Sequence, residues 1–379
     1  MTAESRSVLI VGAGPVGLFL GLALQQRGIP CILADRRITD SQHSRAIGIH
    51  PPSMALFERI GLAKQIEDAG CPIVRGLAFC GRQRLGEMRF ADAGGDYPYI
   101  VSVPQYRTES LMRDALRDTE ARRLQGYEPL DLEEHDDHVA VTLRNGVGEE
   151  THVRASYVIG CDGRDSWVRS RAGIPWRGGQ YRDRYMMGDF PDHLPEPDTA
   201  RIYVSGEGLV EAIPLPSGMR RWVLRTRRNG HQLDPTDFIR EVERRTGERL
   251  PGLPENGLTA FGIQHFVAGR VVQGRLFLAG DAAHIMSPIG GQGMNTGWMD
   301  AWELAAALAG ECDFNSYNRI VRRRAAVAIR RAHHNTLVGR PSSSPIFKGM
   351  FIRTMLNTPL RGVWLRRFTM QGLPRLVSA

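Results

Sequence analysis

Four apolar residues, Val8-Leu9-Ile10-Val11, run without a polar break, and a glycine-rich turn separates them from a helical spacing over residues 18–27. A short continuous apolar run before a turn reads as a strand covered on both faces, as in a parallel sheet. Residues 29–33 repeat the pattern and end at Asp35, so the first stretch reads as a β-α-β unit. Residues 276–279 form another such run, followed by a glycine-rich turn and a helical pattern over residues 298–308. Between these anchors the pattern changes period. Leu77-Ala78-Phe79 and Glu87-Met88-Arg89-Phe90 read as short antiparallel strands, and residues 105–121 as a helix carried by Leu111, Ala115 and Leu116. Residues 138–143 alternate, turn at Asn145-Gly146 and return over 151–159 as a hairpin. Candidate strands follow at 185–188, 200–204, 210–213 and 221–226, with a helix at 235–246.

The pattern predicts an α/β protein: a Rossmann-type domain (residues 1–72, 101–176 and 270–310) interleaved with a β-sheet domain (73–100 and 177–269). A helical C-terminal segment, 311–379, completes it. Within that segment the arginines of residues 319–331 are expected to face outward from an apolar stripe that packs on the two domains. A length of 379 residues suits two interlocked domains. No apolar run approaches the ~20 residues that span a bilayer, and residues 1–7 lack the apolar core of a signal peptide, so a cytoplasmic protein without membrane partners is expected. The net charge of +8 is almost all arginine, since Lys64 and Lys348 are the only lysines. The arginines are scattered rather than interleaved with aromatics, which argues against nucleic acid and for small anionic partners. Five cysteines without a CxxC pair read as reduced thiols, and no His/Cys spacing suggests a metal.

The chemistry lies in three glycine- and aspartate-bearing motifs. Gly12-Ala13-Gly14-Pro15-Val16-Gly17 follows the first strand: the first glycine makes the tight turn, the second admits a pyrophosphate, and the third packs helix on strand. Asp35, at the end of the second strand, is placed to hold a ribose hydroxyl. Gly280-Asp281 ends the strand at 276–279, where a carboxylate can accept from a polyol. The turn Gly290-Gly291-Gln292-Gly293-Met294-Asn295 then opens a helix whose free N–H groups favour negative charge. The third motif is Asp162-Gly163.

In that order and spacing the chain resembles the class A flavoprotein aromatic monooxygenases, the family of para-hydroxybenzoate hydroxylase. Residues 44–50 and 103–109 are similar to two further segments of that family. The resemblance implies non-covalently bound FAD, a transient NAD(P)H co-substrate, and insertion of one oxygen atom from O2 into an aromatic or polycyclic substrate through a flavin C4a-hydroperoxide. It implies cofactor contacts from Gly12, Gly14, Pro15, Val16, Gly17, Asp35, Arg36, Arg45, Gln105, Asp162, Gly280, Asp281, Gly291, Gly293, Met294 and Asn295, with Pro288 at the flavin and oxygen site. The sheet domain is expected to roof the flavin, with Tyr203, Ile213, Trp222, Leu224 and Arg225 lining the substrate pocket; no general base stands out. His284 reads as a packing or hydrogen-bonding residue. A monomer or homodimer fits equally. Only one dinucleotide fingerprint is present, which argues against two-Rossmann reductases, and the tryptophan motif of flavin halogenases is absent. An isoprenoid-type reductase or epoxidase and a non-catalytic flavin-fold binding protein stay open as alternatives.

Overall fold

A computed structural model of the protein describes residues 7–39, 46–226 and 233–376. Val8–Val11 lies inside a six-stranded sheet, between Tyr157–Gly160 and Cys31–Asp35 and parallel to both. Leu276–Leu278 pairs with the outer side of Tyr157–Gly160, and Arg122–Gln125 with the outer side of Cys31–Asp35. All four residues of the first strand are buried, which explains their unbroken apolar run. Helix Pro15–Gln25 packs against helices Gln292–Leu308 and Gln105–Arg117. A Cβ at Gly280 would lie 2.8 Å from Val16, and one at Gly297 2.6 Å. The two glycine motifs are thus pressed together through glycine.

The expected hairpin forms differently. Glu150–Ala155 pairs with Val139–Asn145, whereas Tyr157–Gly160 joins the parallel sheet, so the stretch 151–159 serves two sheets and breaks at Ser156. Its turn is a four-residue loop rather than a tight Asn-Gly pair. The Asn145 side-chain oxygen accepts from the N–H groups of Val147 and Glu149, at 3.1 and 2.9 Å, and so closes the longer loop.

An eight-stranded sheet forms the second layer. From the motif side its order is His284–Ile285, Thr259–Ala268, Trp176–Pro191, Met219–Thr226, Gly208–Leu215, Thr199–Ser205, Arg75–Cys80 and Gln83–Arg89. One face is sealed by helix Pro235–Thr246, which buries Phe238 and Val242 against Tyr203, Val210, Trp222 and Leu224. The other face turns to the glycine motifs.

The C-terminal helices Phe314–Val338, Pro345–Leu356 and Leu360–Phe368 pack back on the body, burying Tyr317, Val321, Leu356 and Leu365. Arg324 departs from the outward expectation. It is fully buried, because Asp300 and Glu303 on helix Gln292–Leu308 face it at 2.9 and 2.7 Å. Among the described residues no helix is long and apolar enough to cross a membrane.

Candidate active site

One cavity of about 1010 Å³ is lined by residues of both sheets and of the glycine motifs, among them Gly12, Asp35, Asp281, Pro288 and Gly293. Two helix N-termini without a side-chain cap open onto it. The first follows Gly14; the second follows Gly291, whose φ of +65° is a left-handed conformation that glycine adopts without strain. Uncapped first-turn N–H groups form a site for negative charge.

The glycines of the first motif divide into packing and access. A Cβ at Gly17 would sit 1.9 Å from the Gly12 carbonyl oxygen, and one at Gly12 2.4 Å from that of Cys161. A Cβ at Gly14 would meet nothing nearer than Arg37, at 3.8 Å. Gly14 therefore borders open space of the kind a pyrophosphate needs. Gly17→Ala is expected to overpack the turn and cost about 1–3 kcal/mol of stability. Gly14→Ala should leave the melting temperature near wild type while weakening FAD binding about tenfold or more. Calorimetry and FAD titration of both variants check the contrast; matching stability losses would remove the distinction.

Asp35 carries the first difference from expectation. Its carboxylate accepts from Ala13 N at 2.7 Å and from three groups of Arg37, the backbone N and the guanidinium Nε and Nη2, at 2.8–3.1 Å. Burial would raise its pKa, but the Arg37 and Ala13 bonds outweigh that and hold it below the ordinary value. A carboxylate has about four acceptor positions, so here Arg37 fills those that a ribose was expected to use. A ribose hydroxyl there must displace an Arg37 donor. Arg36 is exposed at the cavity edge. Gln105 lines the cavity and donates to the buried Glu109 at 2.8 Å. Arg45 lies outside the described residues.

Asp162 caps helix Trp167–Arg171 through one oxygen, which accepts from Trp167 N and Val168 N at 2.7 and 3.1 Å. Its other oxygen is buried without a hydrogen-bond partner, and desolvation raises its pKa. Arg169, buried nearby, donates to the carbonyls of Arg164 and Ala282 and so ties the Asp162 loop to the Asp281 loop. Asp281 is exposed to the cavity. Desolvation by the surrounding walls raises its carboxyl pKa, and His284 and Arg164 only partly offset this.

Asn295 stands behind the cavity wall. It donates to Gly48 O and Gly291 O at 2.9 and 2.8 Å and accepts from His50 N at 2.9 Å. The wall itself comes from Gly290, Gly291, Gly293 and Met294, with Pro288 and His50 beside them. His50 was not singled out from sequence. Its ring contacts Gly290 O at 3.1 Å, and burial lowers its pKa to about 4, so it is neutral. His284 is buried 2.5 Å from Asp300, away from the lining.

Of the five residues expected to contact substrate, the structure puts only Ile213 on the cavity wall. Tyr203, Trp222 and Leu224 are buried on the opposite sheet face under helix Pro235–Thr246. Arg225 is held by Asp183 at 2.9 Å, outside the cavity lining. On the same strands Ile202, Glu211, Arg221 and Val223 line the cavity instead. Large apolar side chains fill a closed core as readily as a pocket, so their chemistry did not reveal the face. Glu211, an acid between Val210 and Ala212, was the available signal.

The fold is shared with solved proteins. A p-nitrophenol 4-monooxygenase of Pseudomonas putida superposes with a TM-score of 0.84 at 21% identity, over 96% of this chain and 97% of that one. A Diels-Alderase of pyrroindomycin biosynthesis gives a TM-score of 0.80 at 25% identity, over 98% and 82%. In sequence, residues 5–332 match the FAD binding domain family. A 6-methylpretetramide 4-monooxygenase of Streptomyces rimosus is 31% identical over 81% of this chain and 56% of its own length. A rifampicin monooxygenase of Streptomyces venezuelae is 30% identical over 81% of this chain and 64% of its own. The chain therefore spans little more than half to under two thirds of the length of these curated relatives.

Proposed function

Because the chain belongs to the FAD binding domain family, we propose that it is a flavin-dependent monooxygenase that places one atom of O2 on an aromatic or polycyclic substrate, with NAD(P)H as electron donor. The observation that supports this most is the shape of one cavity: two uncapped helix N-termini and the open Asp281 along one side, and a mostly apolar sheet face opposite. Gly12, Gly14, Asp281 and Gly293 would hold FAD, which when bound supplies reduction by NAD(P)H and activation of O2. The unpaired Asp162 oxygen adds an acceptor on the same wall.

The chain's own part is placement and charge. The first-turn N–H groups of Gln292, Gly293 and Met294 offer preorganised donors to an anionic ring. Asp281 accepts from a polyol. Ile202, Ile213, Val223 and Phe261 keep water from the ring's other side and offer the substrate an apolar bed.

Purified protein is expected to be yellow and to release FAD on denaturation. NADH and NADPH oxidation should be stimulated by members of a panel of phenols, quinones and polycyclic polyketides. Products from isotopically labelled O2 should carry one labelled atom. Flavin left on the precipitated chain, FMN in the supernatant, or turnover without label would each contradict part of this reading. The label matters because one fold neighbour is a Diels-Alderase.

A further inference from the structure

On the cavity face of the large sheet, Met187, Val223, Glu211 and Ile202 stand in one row across four neighbouring strands. Three are apolar and one is an acid. Among the described residues no hydrogen bond or ion pair reaches the Glu211 carboxyl. It borders both the main cavity and a smaller chamber of about 150 Å³, walled by Leu209, Met355, Trp364 and Phe368. The C-terminal helices thus close a mainly apolar recess with Glu211 at its mouth. Gln292, buried beside the same recess, has neither its amide oxygen nor its amide nitrogen hydrogen-bonded. Leaving such groups without partners inside a protein is costly, which points to a ligand that supplies them.

We propose that Glu211 is a specificity-determining residue: its carboxyl receives a hydroxyl of a neutral aromatic, the recess takes the rings beyond it, and aromatic acids are disfavoured. This rests on the oxygenase reading only in taking the cavity as the substrate site. A hydroxyl donates to a carboxylate, whereas a second carboxylate brought close meets like charge in a poorly solvated space. Arg221, the cation that lines the same cavity wall, is already held by Asp189 at 2.7 Å.

Burial raises the Glu211 pKa to about 7, so the acid is neutral below that pH and anionic above it. Lys348, which donates to Arg340 O at 2.7 Å, is lowered by burial to about 8 and so loses its charge above the Glu211 step. Arg225 and Arg340 share Asp183, each at 2.9 Å. Burial holds the Tyr185 hydroxyl far above its ordinary value. His50 is depressed to about 4, and His334 is also pushed down by burial. Arg331 and Arg367, which line the recess, are guanidinium groups, with Arg331 donating to the carbonyls of Arg367 and Gln371.

The test uses the FAD-loaded protein and two probes, a naphthol and the corresponding hydroxynaphthoate, read by perturbation of flavin absorbance. Wild type should favour the naphthol by about tenfold or more above neutral pH. Its affinity for the hydroxynaphthoate should fall as pH rises through about 7. In Glu211→Gln the preference should shrink toward parity and the pH step should vanish. Glu211→Asp should keep both, and Ile202→Gln, which alters the same row but spares the acid, should keep the step. The wild-type titration needs no variant, so a poorly folding substitution leaves the proposal open to refutation. A hydroxynaphthoate bound as tightly as the naphthol above neutral pH, or a preference unchanged in Glu211→Gln, would overturn the assignment. FAD content is measured separately: a protein that holds no FAD refutes the oxygenase reading, whereas one that holds FAD but ignores the carboxylate refutes Glu211 alone.

Discussion

Replacing Arg324 with methionine is expected to destabilise the fold by roughly 3–5 kcal/mol, because breaking a buried ion pair leaves uncompensated charge in the interior. Arg324, Asp300 and Glu303 are all 2% exposed or less. The guanidinium pairs with both carboxylates and donates to Pro374 O at 3.0 Å. Asp300 also meets His284 and accepts from Gly280 N at 3.2 Å, so the network lies directly behind the Asp281 turn. The C-terminal helix therefore supports the Gly280-Asp281 turn through charge rather than apolar contact alone.

The same network has an acid signature. Burial alone would raise the Asp300 pKa, but His284 and Arg324 outweigh it and hold the value below normal. A carboxyl with a depressed folded pKa contributes stability above its unfolded pKa and loses it as pH falls through the folded one. The network's contribution should thus begin to be lost as pH falls through the ordinary carboxylate range and be gone below the depressed folded value. In Arg324→Met, which removes a cation that lowers Asp300, this acid-dependent loss should shrink. Chemical denaturation across pH measures both effects. An Arg324→Met protein with a near-wild-type midpoint at neutral pH would show that the network contributes little.

Asp281→Ala is expected to weaken FAD binding about 10- to 100-fold, the loss of one charge-assisted hydrogen bond worth roughly 1.5–3 kcal/mol. The apoprotein should change little. Asp281 is exposed to the cavity, so removing it should leave the apo melting temperature near wild type. His284→Ala should show the reverse pattern, losing stability through Asp300 while FAD affinity changes less. FAD titration paired with apo calorimetry separates the two. Equal FAD affinity for wild type and Asp281→Ala would remove Asp281 from the cofactor site, and a large loss of apo stability would make it structural.

Much of the architecture was legible because it rests on local rules. A buried parallel strand needs an unbroken apolar run, and Val8–Val11 has one. A turn whose backbone passes within 1.9 Å of where a Cβ would stand needs glycine, and Gly17 supplies it. Proline at a helix start and glycine after its end mark Pro235–Thr246, with Gly247 in a left-handed conformation. The boundaries that shifted, at Ser156 and in the loop after Asn145, depend on a partner strand and a side-chain bond that spacing does not encode.

By itself the sequence determined the strand–turn–helix units, the glycines that permit close approach, and the carboxylates at strand ends, since each follows from neighbours within a few residues. Only the tertiary structure decided which sheet face meets the cavity. Alternation defines two faces, but both faces of strands 199–226 are largely apolar, one under a helix and one facing the cavity. Tyr203, Trp222 and Leu224 therefore went to the core, and Glu211 to the cavity. Tertiary contact likewise buried Arg324 between two acids, because that pairing joins residues whose charges, read singly along the chain, look like ordinary surface.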